Sequence, residues 1–306
     1  MNWRNEITNA AVRLEGHTVR TPVLTFDGFG LDYPIEMKLE QMQCTGSFKA
    51  RGAFNTLLSS DVPETGLVAA SGGNHGAAVA YAAKKLGHKA KIFVPEFAGP
   101  AKIGLIKRSG ADLSVVTGEY ANAFQDAQAY ETEKGAMQVH AFDAISTVAG
   151  QGTLTREWEE QGLQADTILI AVGGGGLIAG AMAWLGKTRK ILAVEPEKAP
   201  TMFTALAQGG PQDVEVGGIA ANALGARKVG QICYDLAIET GTECVTVTDE
   251  AIRTAQVALW QECRQLVEPA GATALAALMS GAYKPAPDER VAVLVCGGNL
   301  SEDPFG

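Results

Sequence analysis

Lys49 stands in Thr45-Gly46-Ser47-Phe48-Lys49-Ala50-Arg51-Gly52, a polar turn opening a helix expected over Phe48–Leu58. An amine held at a helix start beside an aromatic ring is biased towards its unprotonated form. An unprotonated lysine is a nucleophile and can form a Schiff base. A lysine next to phenylalanine is more often a solvated helix residue, so the reading needs a partner. Glycines supply one. Three apolar runs end in such turns: Ala69-Ala70-Ser71-Gly72-Gly73-Asn74, Ala171-Val172-Gly173-Gly174-Gly175-Gly176 and Leu294-Val295-Cys296-Gly297-Gly298-Asn299. In the second, four glycines lead into Leu177-Ile178-Ala179-Gly180, where side-chain-free amides and a helix dipole make a phosphate cradle. Two other readings stand beside it. The turn could need glycine for conformation alone. Gly174-x-Gly176-x-x-Ala179, with Glu195 about 20 residues on, also matches a dinucleotide fingerprint.

These turns must be held by a scaffold. From about residue 66, short β-branched runs alternate with alanine-rich stretches, the pattern of a parallel sheet flanked by helices, so the fold class is α/β. Strands are expected at Leu67–Ala70, Lys91–Val94, Leu113–Val116, Thr167–Val172, Ile191–Val194, Cys244–Val247 and Val291–Val295. Helices are expected at Asn74–Leu86, Ala101–Arg108, Ala121–Lys134 and Asp249–Arg264, the first three stopped by Gly87, Gly110 and Gly135 and the last opened by an N-cap at Asp249. Ligands of open α/β sheets bind at the carboxyl ends of strands. Three glycine turns at strand ends therefore predict one shared pocket.

Composition narrows the classes. The 306 residues suit one large domain or two medium ones, and 19% charged against 46% hydrophobic residues excludes intrinsic disorder. A net charge of −9 without a lysine/arginine run argues against a nucleic-acid partner. The amino terminus lacks a signal-peptide core and no apolar run reaches membrane length, so a cytoplasmic protein without membrane attachment is expected. Five scattered cysteines, Cys44, Cys233, Cys244, Cys263 and Cys296, suit reduced thiols better than disulfides or zinc. His17, His75, His88 and His140 show no metal-ligand spacing.

Ser47-Phe48-Lys49-x-Arg51-Gly52, Ser71-Gly72-Gly73-Asn74-His75-Gly76, Gly173–Gly176 and Cys296-Gly297-Gly298-Asn299 occur in the order and spacing of a known family. Ala149-Gly150-Gln151-Gly152-Thr153 and Val267-Glu268-Pro269 add support. The chain resembles the serine/threonine dehydratases, pyridoxal 5'-phosphate enzymes of fold type II that also include serine racemase. The resemblance implies a tryptophan-synthase-β-like architecture of two open, twisted, mostly parallel α/β domains with the active site between them. Residues 1–65 and 144–306 would form the large cofactor-binding domain and residues 66–143 a small mobile one. It further implies Lys49 as the Schiff-base lysine and proton carrier, with Phe48 against the pyridine ring. Asn74 would bond the phenolic oxygen, and Gly173, Gly174, Gly175, Gly176 and Leu177 the phosphate. Cys296 would face the pyridine nitrogen, while Ser71, Gly72, Asn74 and His75 would grip the substrate carboxylate. The expected reaction is dehydration of L-serine, L-threonine or a related β-hydroxy amino acid to a 2-oxo acid and ammonia. A small amino acid would be the substrate and a homodimer the assembly.

Several positions depart from the family pattern. Its racemases carry a serine base after the position of Ser71, where this chain has Gly72. Dehydration is therefore expected ahead of racemisation, the nearest alternative; a dinucleotide-binding oxidoreductase is a remote one. Metal-dependent relatives hold magnesium or calcium with a glutamate, a carbonyl and an aspartate. Glu195 and Ala199 keep the first two places, but Thr201 replaces the aspartate, weakening the expected site. Gly217–Gly225 lacks the usual Ala-Asp-Gly pattern, and no arginine stands out for a second substrate carboxylate, favouring serine or threonine over hydroxyaspartate. The chain ends soon after the Cys296 turn, so no regulatory domain is expected.

Overall fold

A computed structural model describes residues 1–118 and 120–301. Among the described residues ten strands form two sheets. In chain order they are β1 (Val23–Phe26), β2 (Ile35–Leu39), β3 (Leu67–Ala70), β4 (Ala90–Pro95), β5 (Asp112–Val116), β6 (Met137–Gln138), β7 (Thr167–Ala171), β8 (Lys190–Pro196), β9 (Glu243–Val247) and β10 (Val291–Val295). The helices are α1 (Trp3–Arg13), α2 (Lys49–Leu58), α3 (Asn74–Leu86), α4 (Pro100–Arg108), α5 (Tyr120–Lys134) and α6 (Ile145–Glu160). They continue with α7 (Gly176–Leu185), α8 (Thr201–Gln208), α9 (Ala221–Leu224), α10 (Gln231–Thr240), α11 (Asp249–Cys263) and α12 (Pro269–Met279). Each expected strand and helix is present within a residue or two of its bounds. Gly87, which ends α3, sits at φ +78°, the left-handed stop that glycine adopts without strain. The α11 cap lies one residue earlier than expected: the Thr248 hydroxyl accepts from the Ala251 N–H, making Asp249 the first helical residue.

The larger sheet runs β1-β2-β10-β7-β8-β9, parallel except for the β1–β2 hairpin. The smaller runs β5-β4-β3-β6, all parallel. Every residue of β3, β7 and β10 is buried, as expected of parallel strands covered on both faces. Strand order explains the shared pocket. Because β2, β10 and β7 are parallel neighbours, their carboxyl ends lie side by side. One end leads towards Lys49, the next to Cys296 and the third to Gly173. In the small sheet, β3 ends at Ser71.

Helix α6 ties these ends together. Its Gly150 lies so close to α2 that a Cβ there would come within 2.6 Å of the Arg51 carbonyl oxygen. A Cβ on Gly180 of α7 would come within 2.5 Å of the Gly152 nitrogen. Glycines inside α6 and α7 thus let the helix bearing Lys49 and the helix after the glycine loop both pack at backbone distance.

Candidate active site

Lys49 is the first residue of α2, and the preceding Phe48 N–H donates to the Cys296 carbonyl at 3.2 Å. A bridge between Ser47 and Gly297 locks the two turns together. The half-buried lysine donates from Nζ to the Ala141 carbonyl at 2.7 Å and lies 5.1 Å from the Phe48 ring centroid. Desolvation lowers its pKa to about 8, against a small opposing effect of Cys296. Cys296 is buried and its thiol donates to the Ala270 carbonyl at 3.3 Å. Burial, and then the Glu268 carboxylate, push its pKa up, so this position presents a neutral thiol.

The glycine loop has no spare room on its outer side. A Cβ at Gly174 would come within 2.3 Å of the Phe142 ring, and one at Gly175, where φ is +88°, within 2.4 Å of Cys233 Sγ. Its carbonyls face donors: the Gly230 N–H donates to Gly174, and the Gly173 carbonyl shares the single Thr201 hydroxyl proton with Glu195. Helix α7 starts at Gly176 with no side-chain cap. The first N–H groups of a helix have no intrahelical partner, and here no side chain supplies one. The conformational need for glycine and an anion cradle therefore coexist. Lys49 reaches this loop through one short segment. Ala141 binds its amine, Phe142 packs on Gly174, and Asp143 accepts from the Gln231 and Ile232 N–H groups at the start of α10. His140 shapes that segment by accepting the Asp143 N–H at Nδ1.

On the small-sheet side, the Ser71 hydroxyl accepts from the Gly73 N–H at 3.2 Å, and α3 begins at Asn74 without a side-chain cap. The His75 ring is not turned to a substrate. Its Nε2 bonds the Val139 carbonyl at 2.8 Å, and burial lowers its pKa to about 3, so it is a neutral donor. Gly72 is closed off, because a Cβ there would lie 2.4 Å from the Ala98 methyl carbon.

Glu195 is buried and holds the start of α8. Its carboxylate accepts from the Thr201 hydroxyl and the Met202 and Phe203 N–H groups at 2.8–2.9 Å. It therefore cannot serve as the ribose-binding acid of a dinucleotide site. The Ala199 carbonyl accepts the Thr201 N–H at 3.1 Å. Among the described residues no group of three His, Cys, Asp or Glu could hold a metal ion. With Thr201 placing a hydroxyl on Glu195 rather than a second charged oxygen, Glu195 and Ala199 do not fit a cation site.

The family model for pyridoxal-phosphate dependent enzymes matches residues 14–297. The chain belongs to that family. It is similar to phenylserine dehydratase of Ralstonia pickettii, 37% identical over 89% of this chain and 84% of the relative. Maize serine racemase superposes with a TM-score of 0.91 at 29% identity, covering 99% of this chain and 94% of that one. Serine racemase of Dictyostelium discoideum does so with 0.88 at 32%, covering 97% and 98%, and a threonine deaminase from T.th. with 0.90 at 34%, covering 98% and 99%. The fold is accordingly that of the fold type II enzymes. The residues present fit the family's cofactor, with an uncapped helix start for its phosphate and an amine of lowered pKa for its aldehyde.

Arg51 and Glu268 are the parts of this site to which the sequence motifs assigned no role. Arg51 lies two residues after Lys49 and meets Glu40 through Nε at 2.7 Å and Nη2 at 3.1 Å, and Glu157 at 2.9 Å. Lys38 bonds the same Glu157 at 2.5 Å. Burial would lower the Arg51 pKa, but Glu40 and Glu157 outweigh it and raise it. This buried network fixes α2, and with it Lys49. The signal was present in the sequence as charges within apolar runs: Lys38 in Ile35–Leu39 and Glu268 between Val267 and Pro269.

Proposed function

We propose that this chain is a pyridoxal-phosphate dependent dehydratase of the ammonia-lyase type. It would eliminate water from L-serine, L-threonine or another β-hydroxy amino acid with an uncharged side chain and release a 2-oxo acid and ammonia. The observation that carries this reading is an asymmetry of proton carriers. Lys49 offers an amine of pKa about 8, whereas the position of the racemase base is Gly72, shut by Ala98. When bound, the cofactor withdraws electrons from the substrate and makes its α-proton acidic. Lys49 Nζ would take that proton, with the Ala141 carbonyl as its orienting partner, and the β-hydroxyl would leave as water, so that one proton passes in net from Cα to the departing oxygen. Backbone N–H groups at Asn74 and His75, beside the Ser71–Gly73 turn, hold the substrate carboxylate. Phe48 would support the ring, and the neutral Cys296 thiol would meet its nitrogen without imposing full positive charge. Gly173, Gly174, Gly175, Gly176 and Leu177 would hold the phosphate.

The small cleft beside Glu268 is bordered by apolar Ile219, Ala220, Ala223 and Ala270 and polar Asn299 and Ser301, and among the described residues no lysine or arginine lines it. This supports an uncharged β-substituent, and the phenylserine dehydratase relative adds an aryl group to the candidates. Residues 66–143 act in this reading as a small mobile domain that closes over residues 1–65 and 144–306 and excludes water; the separate four-stranded sheet supports it. The enzyme would work in the cytoplasm as a homodimer, as the family resemblance implies. Among the described residues no helix is long and apolar enough to cross a membrane.

The test is ammonia and 2-oxo acid release from both enantiomers of serine, threonine, phenylserine and hydroxyaspartate. We expect turnover of L-serine, L-threonine or L-phenylserine, abolished by Lys49→Ala. Formation of the opposite enantiomer without oxo acid would make the enzyme an isomerase, and wild-type turnover in Lys49→Ala would overturn the assignment.

A further inference from the structure

Asn74 is one link in a chain of two amides, its own buried and that of Asn299 half-buried, whose two ends can only accept. At one end, the Thr45 carbonyl takes an N–H of Asn299 at 2.7 Å. Asn299 gives its second Nδ2 hydrogen to Asn74 Oδ1 at 2.9 Å. At the other end, Asn74 Nδ2 donates to Glu268 Oε1 at 2.5 Å. Asn74 and Glu268 are only 7% and 2% exposed, so water cannot substitute for a missing partner. A carboxylate and a carbonyl cannot donate, so the polarity of both amides is dictated from the ends. If the Asn74 amide rotated by half a turn, its oxygen would face the Glu268 carboxylate and its nitrogen the Asn299 amine. These three bonds use three of the four Nδ2 hydrogens on the two amides. The second N–H of Asn74 is left over, and a donor held in a buried wall suits an anionic oxygen.

We propose that Glu268 is a positioning residue. It locks the Asn74 amide against Asn299 so that this remaining N–H is presented to the cofactor's phenolic oxygen. Packing agrees with a dedicated fit: a Cβ on Gly297 would lie 2.2 Å from Glu268 Oε1, so the glycine after Cys296 makes room for the carboxylate. The inference rests on the proposed placement of the cofactor at Lys49 and Asn74 and is independent of the choice of substrate.

Glu268→Met removes the acceptor at nearly constant length, and Glu268→Gln keeps an acceptor oxygen. Each variant is loaded with pyridoxal 5'-phosphate, without substrate. The position and pH profile of the visible absorption band are recorded with the cofactor dissociation constant and Tm. In Glu268→Met we expect a changed band or pH profile and cofactor binding weakened about tenfold, the worth of roughly one hydrogen bond to a charged acceptor. Glu268→Gln should retain the parental spectrum. A Glu268→Met protein with parental spectrum and affinity, whatever its Tm, overturns the proposal; so does a Glu268→Gln protein that matches Glu268→Met. Should Glu268→Met not fold, Asn299→Ala releases the other end of the chain and carries the same expectation, and an unchanged spectrum there is equally fatal. Because substrate is absent, a wrong dehydratase assignment would leave these readouts intact.

Discussion

Gly72→Ser would supply the hydroxyl that racemases of the family carry, and the structure says why it should fail alone. The new Cβ would lie 2.4 Å from the Ala98 methyl carbon, with the Ala98 Cα and Pro95 Cδ next at 3.4 Å. Relief to an ordinary contact requires the Glu96–Ala98 turn to move by about 1 Å, and overpacking of this kind costs about 1–3 kcal/mol. Deleting one methyl group should remove most of the conflict. In Gly72→Ser/Ala98→Gly the nearest remaining contacts are the two at 3.4 Å. Ala98→Gly by itself should cost about 0.5–1 kcal/mol of backbone entropy.

The two changes must therefore be non-additive. We expect the double variant to be more stable than the sum of the singles by about 1–2 kcal/mol, where independent sites would add within about 0.5. Calorimetric or urea unfolding of the parent and the three variants measures this coupling. Chiral analysis with L-serine reads its chemical counterpart: D-serine from the double variant and none from the parent. Simple additivity, or a Gly72→Ser protein as stable as the parent, would refute the claim that Ala98 closes this position.

Capture of pyridoxal phosphate by the apoenzyme should rise with pH to a plateau with a midpoint near 8, because the free amine reacts and desolvation lowers the Lys49 pKa to about 8. About one lysine in ten is then unprotonated at pH 7, against about one in 3,000 for an ordinary lysine; a midpoint above 10 would contradict the desolvation argument. The folded pKa lies below the unfolded one, so the same group should make the apoenzyme more stable as pH climbs from about 8 towards 10. Arg51→Met leaves Glu40 without its guanidinium and should cost about 3–5 kcal/mol in urea unfolding; a loss under about 1 kcal/mol would mean that the network does not anchor α2. Chelator treatment followed by magnesium or calcium should leave Tm and turnover unchanged, since Glu195 is already occupied by Thr201, Met202 and Phe203. A calcium-dependent rise in Tm would show that this cap opens to a cation.

Elements built by local rules were legible in the sequence. β3 and β10 are unbroken apolar runs, and α3 ends on a glycine that can turn left-handed. β2 escaped notice because Glu36 and Lys38 interrupt its apolar residues Ile35, Met37 and Leu39. Lys38 is nevertheless fully buried, neutralised by Glu157 and bonded to the Thr21 carbonyl. α6 was obscured by Gly150 and Gly152, which lower helix propensity but allow close packing on α2 and α7. The glycine turns and Lys49 were visible as motifs. Whether His75 faces a substrate or the Val139 carbonyl, and whether Glu195 binds a ligand or caps α8, depends on contacts with residues distant in sequence or with unpaired helix amides. Residue type and spacing do not encode those choices.

The contrast between two cations on α2 shows how the scaffold makes one of them reactive. Arg51 and Lys49 lie two residues apart, and desolvation lowers the pKa of both. Arg51 is compensated by Glu40 and Glu157 and stays charged; Lys49 donates to a carbonyl beside the Phe48 ring, desolvation prevails over the opposing effect of Cys296, and its amine approaches neutrality. The carboxylate on the pocket wall, Glu268, acts on Cys296 and accepts from Asn74 Nδ2. A scaffold that pairs one cation of α2 with two carboxylates and sets the other against a carbonyl separates a structural charge from a reactive amine within a single helical turn.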